Sequence, residues 1–126
     1  MNELTKAEED VMHYLWNFKE CLVRDIVDAM PEPKPAYNTV STIVRILEKK
    51  EFVGHKENGK SYLYFPLVSK DEYTKFSIKN LIQGYFGGSY KKAVSFFVKE
   101  ENLSIEDVES LFEQLKDADQ KNISDS

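Results

Sequence analysis

The chain has 126 residues, a formal net charge of −5 and a hydrophobic fraction of 41%. This length fits one domain, or one small domain with an oligomerisation element, and the apolar content is too high for an intrinsically disordered protein. One cysteine and two histidines leave too few ligands for an internal disulfide or a zinc site. No run of about 18 apolar residues occurs and the acidic N-terminus lacks an apolar core, so we expect a cytoplasmic protein without membrane insertion.

Three helices are predicted in the first 50 residues. The first begins at a capping-box pattern, in which Glu8 follows Thr5 at the required spacing. The second covers about Leu22–Met30 and must stop there, because the prolines of PEPKP remove backbone donors. The third covers about Tyr37–Lys50. Two short helices joined by a rigid turn are typical of a helix-turn-helix.

The third helix has an apolar face and a polar stripe. The apolar face consists of Val40, Ile43, Val44 and Leu47, and the stripe of Asn38, Ser41, Thr42, Arg45 and Lys49. Short hydroxyl side chains allow a close approach to a DNA groove, asparagine can read adenine, and arginine can pair with guanine or a phosphate. A merely solvated helix face would show the same periodicity. The flanking elements favour the DNA-facing interpretation.

A β-hairpin is predicted from Phe52 to Phe65, around an Asn58-Gly59 pair that suits a type I′ turn. We therefore predict a mainly α fold with a small β-hairpin wing, that is, a winged helix-turn-helix. Lys56 and Lys60 at the hairpin tip would contact DNA phosphates, although ordinary charged decoration of an edge strand is the alternative.

The net negative charge is unevenly distributed. Between Lys34 and Tyr62 there are six basic and three acidic residues, whereas from Glu100 to the end there are two basic and nine acidic ones. Local fields decide where a polyanion docks. The acidic total therefore does not exclude DNA binding.

Three further helices are predicted after the hairpin, and they are unusually apolar. We expect a DNA-binding domain over residues 1–68, a helical homodimerisation region over 69–115 and a disordered acidic tail over 116–126. The helices could pack on their own winged domain, but a homodimer would also supply the two copies that palindromic DNA requires. The predicted dimer interface comprises Phe76, Leu81, Ile82, Tyr85, Val94, Phe97, Val108, Leu111, Phe112 and Leu115.

The chain offers little for catalysis. His13 and His55 lie far apart in sequence, and neither has a second histidine or cysteine near it. Cys21 precedes an apolar helix and is interpreted as a small buried hydrophobe. A phosphate-binding glycine loop and a nucleophile elbow are both missing from the sequence. We expect no enzyme activity, no cofactor and no metal site.

These segments resemble a known family. The stretches LTKAEEDVMHYLW, YNTVSTIVRILEKKEFVGHKENGKSYLYFPLV and KAVSFFVKEENLS are similar to the BlaI/MecI/CopY family of penicillinase and methicillin-resistance repressors. The resemblance extends over about Leu4–Leu115. It implies a homodimeric transcriptional repressor bound to an inverted-repeat DNA operator, with intertwined C-terminal helices. By matching position, it implies DNA contacts by Asn38, Thr39, Ser41, Thr42 and Arg45 in the third helix and by Lys56 and Lys60 in the wing.

Two departures from the family concern its inducing signals. Copper-responsive members carry a cysteine-rich tail, and the corresponding stretch here is KDADQKNISDS, so we expect no copper sensing by that route. The β-lactam-responsive repressors are cut at an Asn-Phe step after a membrane sensor protease is triggered. That step falls at Phe96-Phe97, which lacks the asparagine. Proteolysis or destabilisation of the dimer region stays the expected mode of release, as part of antibiotic-resistance-type regulation. A winged-helix protein-interaction module and a small-ligand-sensing regulator are the alternatives.

Overall fold

The computed structural model describes residues 1–110 and 113–114. It contains helices α1 (Lys6–Phe18), α2 (Val23–Ala29) and α3 (Tyr37–Lys49), strands β1 (Val53–Asn58) and β2 (Ser61–Pro66), and helices α4 (Lys70–Phe86) and α5 (Tyr90–Glu100). Residues 105–110 are also helical. The mainly α fold with a β-hairpin is confirmed.

The chain divides into two compact units. The first is Met1–Tyr73, and the second begins at Thr74. The roles assigned to residues 1–68 and 69–115 stay predictions. The tail predicted over 116–126 lies outside the described residues.

Helix α1 begins at the predicted capping box. The Thr5 hydroxyl accepts the Glu8 N–H at 3.2 Å, and the Glu8 carboxylate accepts the Thr5 N–H at 2.8 Å. Its buried face includes Val11, Met12 and Leu15. These contacts satisfy backbone donors that a helix N-terminus otherwise leaves unpaired.

Helix α2 is short and is stabilised at both ends by side chains. The Asp25 carboxylate accepts the Leu22 N–H at 2.9 Å at the start of the helix. At its end, Lys34 Nζ donates to the carbonyls of Asp28 and Met30, at 2.8 and 2.9 Å. The Lys34 ammonium therefore caps the negative end of the helix dipole.

The hairpin pairs β1 with β2 in an antiparallel register, with Val53 opposite Pro66 and Asn58 opposite Ser61. Gly59 and Lys60 therefore form the two-residue turn, one position later than predicted. Gly59 has a φ of 64°, and Lys60 is not among the described residues with positive φ. A type I′ turn needs positive φ at both central residues, so the type I′ prediction is wrong.

Strand β2 is also tied to the chain between α1 and α2. The Cys21 N–H donates to the Tyr64 carbonyl at 3.0 Å, and the Tyr64 N–H donates to the Cys21 carbonyl at 2.8 Å. Cys21 is buried, and this burial, with a smaller contribution from Asp25, raises the pKa of its thiol to about 11. The wing is thus hydrogen-bonded into the body of the first unit.

The first unit is closed by the start of α4. Tyr73 is buried, and its hydroxyl donates to the Glu9 carboxylate at 2.9 Å and accepts the Leu4 N–H at 3.1 Å. Its ring lies 5.8 Å from that of Phe52, and the Trp16 indole donates to the Val68 carbonyl at 2.9 Å. These contacts attach the start of α4 to α1.

The second unit has its own core, formed by Ile82, Ala93 and Val108. Helix α4 ends at two glycines with positive φ, Gly87 and Gly88. The Ser104 hydroxyl accepts the Asp107 N–H at 3.1 Å and so caps the helical segment over residues 105–110. Within the described part of the chain, no helix is long and apolar enough to cross a membrane.

Candidate nucleic-acid interface

Helix α3 is fixed to the body of the first unit by one apolar face. Val40, Val44 and Leu47 are buried, and the helix packs against α1 and α2. Ile43, predicted to lie on the same face, is half-buried. The opposite face of α3 is consequently presented away from this core.

The predicted polar stripe is mostly exposed. Its members Asn38, Thr42, Arg45 and Lys49 all lie at the surface, as does the neighbouring Thr39. The Thr42 hydroxyl donates to the Asn38 carbonyl at 2.8 Å, one helical turn back. The hydroxyl proton of Thr42 is thus already used, and the methyl group of this side chain is of the kind that makes apolar contact with a thymine methyl.

Ser41 differs from the other residues of the stripe because only 9% of it is exposed. It lines a cleft between α3 and the hairpin together with Tyr62 and Tyr64 of β2. A role for its side chain in DNA contact stays a prediction.

The two predicted wing lysines are both exposed, but their surroundings differ. Lys56 Nζ lies 2.8 Å from the Glu20 carboxylate. Lys60 occupies the turn of the hairpin beside Gly59. To contact a phosphate, Lys56 would have to give up its ion pair with Glu20. Lys60 lies at the tip of the hairpin and would not.

The wing is held against α3 by a polar and aromatic contact. His55 Nδ1 of β1 pairs with the Glu48 carboxylate of α3. The His55 ring also lies 4.4 Å from that of Tyr62 and 5.8 Å from that of Tyr64. Burial, reinforced by Glu48, raises the pKa of Tyr64 although Arg45 opposes the shift, so its phenol stays protonated at neutral pH. These contacts set the angle between the hairpin and α3.

A cleft of about 350 Å³ lies between α2, α3 and β2, and we call it the cationic cleft. It is lined by Leu22, Val23, Arg24, Tyr37, Ser41, Arg45, Lys60, Ser61, Tyr62 and Tyr64. Three of these residues are cationic, and none of the lining residues is acidic. Arg24 of α2 makes a cation–π contact with Tyr37, with its guanidinium carbon 5.4 Å from the ring centroid. The arrangement is suited to an anion.

Sequence reasoning missed Arg24 and Tyr37 as site residues. Arg24 and Arg45 are the only two arginines in the chain, and both line the cationic cleft. Arginine is favoured over lysine for planar recognition of phosphates and bases. The position of the two arginines in a lysine-rich chain was therefore a signal in the sequence that could have indicated Arg24 as a site residue.

Other cations of the basic segment are occupied in the fold. Lys34 caps α2, and Lys50 Nζ lies 2.9 Å from both carboxylate oxygens of Glu8 in α1. Counting them as DNA-facing charge overestimates the interface. The exposed cations of that segment outside the helix cap and the ion pairs described above are Arg45, Lys49 and Lys60.

The predicted dimer residues fall into four groups. Leu81 and Tyr85 are exposed, with 83% of Tyr85 accessible. Phe76, Val94 and Phe97 are half-buried, whereas Ile82 and Val108 belong to the core of the second unit. The remaining three lie outside the described residues, namely Leu111, Phe112 and Leu115. The assignment of all ten residues to a dimer interface stays a prediction.

Comparison with known proteins agrees with this architecture. The penicillinase repressor family model matches residues 4–117. The methicillin resistance regulatory protein MecI of Staphylococcus aureus (strain N315) is 29% identical over 110 residues, which are 86% of this chain and 89% of the relative. The penicillinase repressor of Staphylococcus aureus is 28% identical over 120 residues, 94% of this chain and 95% of the relative.

Among solved structures, the DNA-binding domain of the repressor BlaI aligns with a TM-score of 0.50 at 21% identity. The alignment covers 56% of this chain and 88% of that domain, so the two share a fold. The winged helix-turn-helix prediction is thereby confirmed. Because the family model extends over nearly the whole chain, this protein belongs to the penicillinase repressor family.

Proposed function

We propose that the chain is a DNA-binding transcriptional repressor that acts as a homodimer on an inverted-repeat operator. The observation that carries this proposal is the exposed stripe of α3, fixed beside a wing in a member of the penicillinase repressor family. A regulatory role, not a catalytic one, follows from the same observations.

In this proposal α3 enters the major groove, where a helix fits and each base pair presents a distinct pattern of donors and acceptors. Asn38, Thr42 and Arg45 supply three different recognition chemistries on one exposed face. The wing lies alongside, and Lys60 at its tip contacts the backbone. Phosphate contacts position the protein, and contacts of α3 with base edges provide specificity.

Exposed apolar side chains in the second unit support the homodimer. Tyr85 of α4 and Phe96 of α5 are exposed, as are Leu103 and Ile105. Exposed large apolar side chains on a small helical unit favour association with a partner surface. A second copy of the same chain also supplies the second α3 that an inverted repeat requires.

Release of the operator is proposed to follow proteolysis or destabilisation of the dimer region, with a membrane sensor protease as the partner. The Phe96-Phe97 step lies inside α5, and Phe97 packs against the core of the second unit. The helix would have to open locally before a protease could bind this step as an extended chain. Opening and cutting α5 would in turn remove apolar contacts from that core.

The proposal is tested by selecting duplexes from a random pool with the full chain and measuring binding by gel shift. We expect a recovered inverted repeat and a loss of affinity of roughly a thousandfold between about 50 and 200 mM salt. Arg45→Ala should weaken binding to the selected duplex by about 1–3 kcal/mol, with a smaller effect on random DNA, because Arg45 reads a base.

Lys6→Ala is the matched control, since Lys6 is exposed and lies on α1 outside the cationic cleft. Recovery of no motif, together with salt-independent retention, would refute the repressor proposal and favour a protein-interaction module. Binding that a small molecule abolishes would instead identify a ligand-sensing regulator.

A further inference from the structure

The cationic cleft contains charge that the recognition-helix assignment does not use. Arg24 comes from α2, whereas Arg45 comes from α3 and Lys60 from the hairpin turn. Three elements thus direct positive charge toward one opening beside α3. Packing like charges together without counterions is unfavourable, so their convergence points to an anionic ligand.

We propose that Arg24 anchors a backbone phosphate of duplex DNA in the cationic cleft, which Lys60 also lines. The inference rests on the proposed function and extends it, because it assigns a phosphate contact to α2. Arg45 of α3 lines the same cleft, so the phosphate would lie beside the helix that reads the bases.

The environment of Arg24 suits this role. The carbon of its guanidinium lies over the Tyr37 ring, 5.4 Å from the centroid, and this cation–π contact favours one position of the side chain before DNA arrives. The N–H donors of a guanidinium form a planar fork that can bind two phosphate oxygens at once. Among the described residues, no carboxylate forms an ion pair with Arg24.

The contrast with nearby lysines strengthens the assignment. Lys34, Lys50 and Lys56 are each held by α2 carbonyls, Glu8 and Glu20, respectively. The cations that line the cleft have no such carboxylate partner within the described chain. The cations of this region therefore form two groups: some stabilise the fold through intramolecular partners, and the others line the cationic cleft.

The cleft also has the polar groups and the volume that a phosphodiester needs. Ser61 and Tyr62 add hydroxyl donors beside Lys60, and Tyr62 is exposed at the surface. A volume of about 350 Å³ accommodates a phosphate with part of its sugar.

The test measures binding of a short random-sequence duplex by fluorescence anisotropy over a series of salt concentrations. Removing one phosphate contact per protomer with Arg24→Gln should lower the slope of log affinity against log salt by roughly one for each protomer bound. The affinity for selected and random duplexes should fall by the same factor. Arg24→Lys should keep the slope and lose part of the affinity, because it keeps the charge and loses the bidentate grip.

Lys6→Gln provides the matched control for loss of one positive charge, and its slope should equal that of the wild type. An unchanged slope in Arg24→Gln, with normal wild-type binding, would overturn the proposal. If the wild type binds no duplex at all, the proposed function itself fails, which is a separate outcome.

A free phosphate compound is the other source of the same chemistry. Inorganic pyrophosphate titrated into the full chain in a calorimeter should give no saturable binding at micromolar concentration. Saturable binding that Arg24→Gln abolishes, without any change in the DNA salt slope, would overturn the assignment to the DNA backbone.

Discussion

Glu8 and Lys50 form an ion pair that joins α1 to the end of α3 and is largely shielded from water. The Glu8 side chain is only 6% exposed. Burial raises the pKa of the Glu8 carboxyl, but hydrogen bonds from the Thr5 backbone and Lys50 outweigh this effect and hold the pKa below its ordinary value of 4.5. Because the folded pKa is the lower one, the pair stabilises the fold fully above about pH 4.5 and loses this contribution as the pH falls through the folded value.

Replacing Lys50 with methionine should therefore destabilise the first unit. The change leaves the Glu8 carboxylate without its counterion, and we expect the free energy of unfolding at neutral pH to fall by about 2 kcal/mol. Urea denaturation followed by circular dichroism measures this loss. In Glu8→Gln, the part of the stability that disappears on acidification should be smaller than in the wild type.

The Lys6–Asp10 pair offers a comparison, since it has a similar distance of 2.8 Å but lies at the surface. Lys6→Met should have little measurable effect, because water already screens an exposed pair. Equal losses from Lys50→Met and Lys6→Met would show that shielding of the Glu8 pair contributes nothing.

For individual residues, the sequence predicts contacts between near neighbours in the chain and misses contacts between residues far apart in sequence. The cap formed by Thr5 and Glu8 was predictable because its partners are three residues apart. Lys50 lies 42 residues from Glu8, so no local spacing indicates the pair. Ser41 was placed on the outward stripe by helical spacing alone, but β2 borders the cleft that it lines.

Among the helices, α2 depends on Lys34, which is one of the six basic residues counted between Lys34 and Tyr62. Lys34→Met should remove charge-assisted bonds to the last carbonyls of α2 and lower the free energy of unfolding by about 1 kcal/mol. Thermal denaturation measures the stability, and anisotropy measures DNA binding. The salt slope of DNA binding should not change.

Lys49→Met serves as the comparison, because Lys49 is exposed on α3 and belongs to the predicted stripe. Its effect should be on DNA affinity and not on stability. A reduced salt slope in Lys34→Met at full stability would contradict the capping role.

The existence of each described element was predictable, whereas the register of the hairpin was not. Alternating apolar residues and the Asn58-Gly59 pair indicated two strands and a turn. The observed turn at Gly59 and Lys60 depends on pairing across the sheet and on the bridge from Cys21 to Tyr64. These are long-range interactions, and a shift of one residue is below what a turn motif can resolve.

For the whole molecule, the proposed homodimer has a simple test. Light scattering at micromolar concentration should give twice the chain mass of 14.7 kDa. Tyr85→Glu should shift the equilibrium toward the monomer, because it places a charge on an exposed apolar site of α4. Gln83→Glu adds the same charge at another exposed position of α4 and should leave the mass unchanged. A wild-type mass of one chain would contradict the dimer.

The sequence predicted that the chain has a basic region, but it did not predict which cations come together in the fold. Counting residues between Lys34 and Tyr62 indicated a basic region within an acidic chain. The cationic cleft also recruits Arg24, which lies outside that window and reaches it only because α2 packs against α3. Convergence of charge from separate elements depends on tertiary packing.

The buried bridge at Cys21 has a practical consequence for labelling. With a pKa of about 11, only about one thiol in ten thousand is ionised at neutral pH, and the thiolate is the reactive form. Cys21 is also the chain's one cysteine. A single cysteine engineered at an exposed site would therefore accept a maleimide dye almost alone, without prior removal of the native thiol.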